Sequence, residues 1–242
     1  MNSHLTVLTG ASRGLGLALT QQLLARGHRV LALSRKPVAL QAPPGSELLH
    51  WACDLADAEP VAQRLAAWLR SQDPNAVASA TLINNAGVVS QLVPLADVPG
   101  ADLINALRVG LEAPALLTSA FLNATAGWAA PRKVLLISSG LGRRAMASSA
   151  SYCAAKAGLD HLARAVALEG VPIVSLAPGV IDTDMQVQLR GADPAQFADR
   201  GRFVDLKAQG QLDSPEAAAA KVLRYLDRAD FGHNPVADVR DS

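Results

Sequence analysis

The stretch Leu5-Thr6-Val7-Leu8-Thr9-Gly10-Ala11-Ser12-Arg13-Gly14-Leu15-Gly16 decides how the rest of the chain is read. Its opening is a short, mostly apolar run suited to a buried strand, and helical period begins at Leu15, so the glycines fall in the turn between strand and helix. Lacking Cβ atoms, such a turn lets a dinucleotide pyrophosphate approach the main chain. The free N–H groups and positive end of the following helix attract the phosphates. A glycine-rich turn also serves as a plain tight connection, so its surroundings must choose between the two.

Outward from this turn, short runs rich in Val, Leu and Ile alternate with longer segments of helical period, the pattern of repeated βαβ units. Strands are expected near 5–8, 29–33, 48–52, 80–83, 133–138, 172–176 and 235–239. Helices fit 15–26, 59–70, 101–125 with an interruption near Gly110 and Pro114, 151–168, and 214–228 opened by Ser214-Pro215. The expected fold is therefore α/β: a single Rossmann-type domain over 1–242, with a doubly wound, mostly parallel seven-stranded sheet and helices on both faces. Residues 183–211 break the rhythm. This segment is longer than an ordinary connection and is punctuated by Gly191, Pro194, Gly201 and Gly210, as expected of an insertion covering a substrate site.

The bulk properties agree. Of the 242 residues 50% are hydrophobic and 18% charged, which supplies a buried sheet and excludes a disordered chain. The net charge is +1 with no long basic run, so nucleic acid and anionic membrane are poor partners and a small molecule is a better one. Cys53 and Cys153 are too far apart in sequence to announce a metal or redox motif, and the five histidines do not cluster, so no metal is expected. No apolar run approaches the roughly 20 residues of a membrane span, and Met1-Asn2-Ser3-His4 lacks the charged and apolar regions of a signal peptide, which points to the cytoplasm.

The second strand ends Leu33-Ser34-Arg35, where an NAD-specific site would carry an acidic residue for the ribose hydroxyls. Ser34 has no charge to repel a 2′-phosphate, and Arg35 with Arg13 suits one, so NADP(H) is favoured over NAD(H). Two solvated surface arginines are the plainer alternative. Ser139, Tyr152 and Lys156 form the most specific constellation. Tyr152 and Lys156 are four apart on one helical face, and Ser139 follows the fifth strand at the carboxyl edge of the sheet. A carbonyl that accepts hydride needs a proton on its oxygen, and a phenol becomes a usable acid when a neighbouring ammonium lowers its pKa from about 10. Tyr152 is thus the expected general acid and Lys156 its activator and ribose anchor. Ser139 orients and polarises the carbonyl.

Taken together, Thr9-Gly10-x-x-x-Gly14-x-Gly16, Asn84-Asn85-Ala86-Gly87, Ser139, Tyr152-x-x-x-Lys156 and Pro178-Gly179 resemble the short-chain dehydrogenase/reductase family along nearly the whole chain. The resemblance implies that the turn from Gly10 to Gly16, including Ala11 and Ser12, holds the cofactor, that Asp54 and Leu55 contact the adenine, and that Asn85, Ala86 and Gly87 border a ribose. It further implies that Pro178, Gly179, Ile181, Thr183, Asp184, Met185 and Gln186 embrace the nicotinamide side, with Gly179 also touching substrate. Asp54 as a simple helix cap and Asn84–Gly87 as a structural turn are the bland alternatives.

Within the family, Tyr152-Cys153-Ala154-Ala155-Lys156, Asp182-Thr183-Asp184-Met185-Gln186, 206–212 and Asp238-Val239-Arg240-Asp241 resemble the sepiapterin reductases and bacterial benzil reductases. The resemblance implies hydride transfer from NADPH to a ketone or 1,2-dicarbonyl such as benzil. Alternatives are a pterin side-chain reductase, with Asp241 as substrate anchor, and a catalytically weak NADP(H)-sensing protein. A homodimer or homotetramer is implied as well. One departure stands out: many members carry an asparagine eight residues before the threonine matching Thr118, and this chain has Gly110, which puts the usual proton relay in question.

Overall fold

The computed structural model describes residues 3–241. Met1 and Asn2, which open the segment read as lacking a signal peptide, lie outside the described residues, as does Ser242.

The first βαβ unit runs through β1 (Ser3–Thr9), α1 (Gly14–Ala25) and β2 (Arg29–Ser34). It is followed by β3 (Glu47–Ala52), α2 (Ala58–Arg70) and β4 (Val77–Asn84). The second half begins with α3 (Gly100–Leu107) and α4 (Ala113–Ala124), joined by a π-helical turn over Arg108–Glu112. It continues through β5 (Arg132–Ile137), α5 (Ala150–Ala167) and β6 (Ile173–Ala177). The chain then forms α6 (Asp184–Gly191), α7 (Arg200–Ala208), α8 (Pro215–Leu226) and β7 (Val236–Asp238).

The strands lie in the order β3-β2-β1-β4-β5-β6-β7, with every neighbouring pair parallel. This doubly wound order reverses between β1 and β4, and the crevice at that switch point opens beyond the carboxyl ends of the strands. Alternation along the strands builds two apolar layers. Leu5 and Val7 of β1 and Leu82 of β4 join Leu65, Phe121 and Leu159 on one face. Leu8 and Ile83 join Leu19, Leu23 and Val222 on the other. A side-chain period of two therefore assigns each residue its face. A fully buried leucine contributes about 1.5–3 kcal/mol, which fixes the strand register far more firmly than hydrogen bonding alone.

The seven strands fall where the sequence places them, within one or two residues at their ends except at the start of β4, which begins three residues earlier, at Val77. The expected break near Gly110 is the π-helical turn between α3 and α4. Within 183–211 the sequence reading assigned no helices, whereas the structure forms α6 and α7. They cover a third, smaller apolar cluster of Leu92, Met146, Leu189, Phe197 and Phe203. No helix among the described residues is long and apolar enough to cross a membrane.

Candidate active site

A cavity of about 1200 Å³ occupies the crevice above β1, β4, β5 and β6. Its floor begins at the glycine turn. Gly10 has φ +68°, a left-handed conformation that strains any other residue, and its N–H donates to the carbonyl of Leu33 at 2.8 Å. A Cβ on Gly16 would lie 2.1 Å from the carbonyl oxygen of Gly10, so only glycine lets α1 start this close to the turn. Arg13, at the N-cap of α1, makes no side-chain cap bond, which leaves the first N–H groups of the helix available to a ligand. The neighbouring turn is fixed by Thr9. Its Oγ1 accepts from the N–H groups of Asn85 and Ala86, each at 2.9 Å, while Asn85 Nδ2 donates to the Thr9 carbonyl at 3.0 Å.

At the far end of β2, Ser34 is buried and its hydroxyl donates to the carbonyl of Lys36 at 2.7 Å, with His50 Nε2 at 3.1 Å. Arg35 and Lys36 line the cavity and have no side-chain partner among the described residues. Arg13 is ion-paired with Asp184 across the mouth of the crevice. Asp54 and Leu55 also line it, and Asp54 Oδ1 accepts from the N–H of Ala56 at 3.0 Å, so this carboxylate shapes its own turn besides bordering the cavity.

Glycines whose side chains would collide, an uncapped helix start and two unpaired cations beside Asp54 fit a phosphate-rich dinucleotide. Gly10, Ser12, Arg13, Gly14, Leu15 and Gly16 line the crevice together with Asn85, Ala86 and Gly87. Pro178 and Gly179 do the same, followed by Ile181, Thr183, Asp184, Met185 and Gln186. Two expected contributors sit elsewhere. Ala11 is fully buried in the apolar layer with Leu8 and Leu15, because its side chain points down from the turn into the core. Asp241 borders a separate small pocket with Tyr225 and Arg228; Asp238 borders both that pocket and the large cavity, which Arg240 also lines.

The catalytic candidates converge on the opposite wall. Ser139 follows β5, and its Oγ accepts from the N–H of Leu141 at 3.2 Å at the start of a 3-10 turn over Gly140–Gly142. Tyr152 lies on the first turn of α5. Burial pushes its phenol up to about 12, with a hydrogen bond to Ser139 pulling it back down. The phenol is therefore protonated at neutral pH. Lys156, one turn on, is 4% exposed, and its Nζ donates to the carbonyl of Ile137 at 2.7 Å and lies 5.5 Å from the Tyr152 ring centre. Burial lowers the ammonium to about 8, and the Asp160 carboxylate opposes that shift. Desolvation thus works against the expected depression of the phenol, and the influence opposing it is the Ser139 hydroxyl, while the Lys156 ammonium is engaged with the Ile137 carbonyl.

Asp160 is a functional neighbour that the sequence reading missed. Its Oδ1 accepts from Ser138 at 2.6 Å and from Ser175 at 2.7 Å, and its Oδ2 pairs with Arg143 Nε at 3.2 Å. This buried carboxylate ties α5 to β5, to β6 and to the turn that carries Arg143. The signal was present: Asp160 lies four residues after Lys156, on the same helical face. Gly110 packs against α5, where a Cβ would stand 3.0 Å from that of Ala155, and Asn105 rather than Gly110 is on the cavity wall.

The family model that describes short chain dehydrogenases matches residues 4–193. A benzil reductase ((S)-benzoin forming) from Bacillus cereus is 33% identical over 240 residues, covering 95% of this chain and 96% of that one. A sepiapterin reductase from Meriones unguiculatus is 34% identical over 255 residues, covering 98% and 96%. Among solved structures, a short-chain dehydrogenase/reductase from Burkholderia vietnamiensis is 34% identical with a TM-score of 0.66, covering 98% of this chain and 99% of that one.

Proposed function

The chain belongs to the short chain dehydrogenase family, and from that premise we propose that it is an NADPH-dependent carbonyl reductase acting on a ketone or 1,2-dicarbonyl of the benzil kind. One observation carries the reading: Ser139, Tyr152 and Lys156 line the same cavity as the uncapped start of α1 and the unpaired Arg35 and Lys36.

The bound nicotinamide supplies the hydride. The protein supplies position and a proton. Gly10 to Gly16 and the N–H groups of α1 hold the pyrophosphate, and Arg35 with Lys36 receives the 2′-phosphate that distinguishes NADPH from NADH. The Ser139 hydroxyl donates to the substrate carbonyl oxygen, orienting it and stabilising the charge that develops there. The Tyr152 phenol, protonated at neutral pH, gives its proton to that oxygen. Lys156, carrying a positive charge below about 8, stabilises the phenolate that remains and restores its proton through solvent.

Benzil as the first substrate rests on the similarity to benzil reductases, and sepiapterin reductases are comparably similar. The pterin alternative asks for a carboxylate anchor. Asp241 lies outside the large cavity, and Asp238 within it is held by Arg240. The test is loss of NADPH absorbance with benzil and sepiapterin in parallel, each repeated with NADH and with Tyr152→Phe. The expected result is turnover of benzil that prefers NADPH and collapses in the variant. Turnover of sepiapterin alone would establish the alternative, and NADPH binding without turnover of a broad carbonyl panel would sink both in favour of a sensor.

A further inference from the structure

The charge on the cavity wall is divided unevenly between its two ends. Eight lining side chains are cationic and four anionic, although the whole chain carries only +1. At the end formed by the glycine turn, β2 and the start of α6, Arg13, Arg35 and Lys36 share the wall with Asp54 and Asp184, while Asp182 is held by Lys207 and Arg190. Most of the excess therefore lies at the other end, where Arg143, Arg144, Lys156, Arg202 and Arg240 share the wall with Asp238.

These cations are not equivalent. Arg143 is occupied by Asp160 and by the carbonyl of Ala237, to which its Nη2 donates at 2.8 Å. Arg240 makes two bonds to Asp238, at 2.8 and 2.6 Å. Lys156 belongs to the catalytic set. Arg144 and Arg202 remain, both exposed and without a side-chain partner among the described residues. Leu141 and Met146 pack in one apolar cluster with Phe203 and Leu206. That packing brings the segment carrying Arg144 up to α7, which carries Arg202. Two guanidinium groups without a side-chain partner among the described residues thus line the same cavity as Met146, Leu189, Phe203 and Ser139.

We infer that the substrate joins an apolar body bearing the carbonyl to an anionic arm, a carboxylate above all, and that Arg144 and Arg202 receive that arm. A guanidinium fork matches a carboxylate with two parallel hydrogen bonds, and two like charges sharing one wall are relieved when an anion lies between them. Arg35 and Lys36 are the counterpart at the opposite end, unpaired until a phosphate arrives. The inference rests on the carbonyl-reductase reading and narrows it: the neutral diketone is the minimal substrate, and an acidic one is preferred.

The probes are benzil-4-carboxylate and its methyl ester, which differ in charge and little in shape. Calorimetric titration into the full chain saturated with NADP⁺ reads binding without turnover. The carboxylate is expected to bind at least about tenfold more tightly than the ester. That gap should close as ionic strength rises from about 0.02 to about 0.5 M. Arg144→Gln combined with Arg202→Gln should bring the carboxylate down to the ester's level. Equal affinity of the two probes overturns the inference, as does a preference that survives the double substitution. So does a double variant that loses NADP⁺ affinity while keeping the preference, since the arginines would then belong to the cofactor. Both probes are then given NADPH. A binding preference with neither probe reduced keeps the anion-binding pair and removes the reductase reading; reduction of the ester with no preference does the reverse.

Discussion

The two ends of the cavity are built on different physical principles. The cofactor end is made of main chain: Gly10 bonded to Leu33, Thr9 clamping the N–H groups of Asn85 and Ala86, and a helix start that tolerates no Cβ at Gly16. The substrate end is made of side chains, with α6 and α7 held by the small cluster around Phe197 and Phe203 and by exposed pairs such as Lys207 with Asp182. Main-chain geometry offers one solution, so the first end constrains residue type closely. Side-chain packing offers many, so the second end is free to vary with the substrate.

Tyr152, the proposed proton donor, lines the cavity together with both ends, and its loss has the largest expected effect. Tyr152→Phe should lower kcat by about 10²–10⁴-fold with NADPH affinity retained, measured by steady-state turnover and by cofactor fluorescence. A weakening of cofactor binding comparable to the loss in kcat would mean that the phenol serves the cofactor end instead. Next comes Gly16→Ala, which forces Gly10 and α1 apart. We expect destabilisation of about 1–3 kcal/mol or more in urea melts together with loss of NADPH binding. Unchanged binding would break the contrast between a main-chain end and a side-chain end.

Arg35→Ala acts within the cofactor end through charge alone. The KM for NADPH should rise roughly tenfold while that for NADH changes little, because one charge-assisted contact is removed. A smaller effect is expected from pH. The Lys156 ammonium titrates near 8 in the folded chain against 10.5 for the free side chain. Above about 8 the unfolded chain therefore binds the extra proton, and this group's contribution to stability rises with pH. Tyr152 runs the other way only above its ordinary 10. Between about 8 and 10, the stability of the wild type relative to Lys156→Met should climb with pH in denaturant titrations. A flat difference would place the lysine in an aqueous setting. The smallest effect belongs to the α6–α7 segment: Lys207→Ala, breaking an exposed pair, should move Tm by no more than about 2 °C.

What could be read in the chain follows the same division. The seven strands, the glycine turn and the Tyr152–Lys156 spacing are local patterns, and the strands landed within one to three residues of their expected ends. The break at Gly110 was visible because glycine and Pro114 interrupt a helical period. The helices of 184–191 and 200–208 were not, because their apolar residues are sparse and the cluster they join is completed by Met146 and Leu92, far away in sequence. Ala11 and Asp241 show the complementary failure: a residue's place in a motif does not say which way its side chain points.

By itself, the sequence determined the parallel sheet, the glycine turn that opens the crevice and the Tyr152–Lys156 spacing on one helical face, since each depends on residue types at fixed short spacings that a strand or a helix converts directly into geometry. Only the tertiary structure decided that Asp160 gathers Ser138, Ser175 and Arg143, that burial raises the phenol of Tyr152, and that Arg144 and Arg202 line one cavity without a side-chain partner among the described residues. Those properties depend on what segments distant in the chain bring to the same place, and on how much water they leave there.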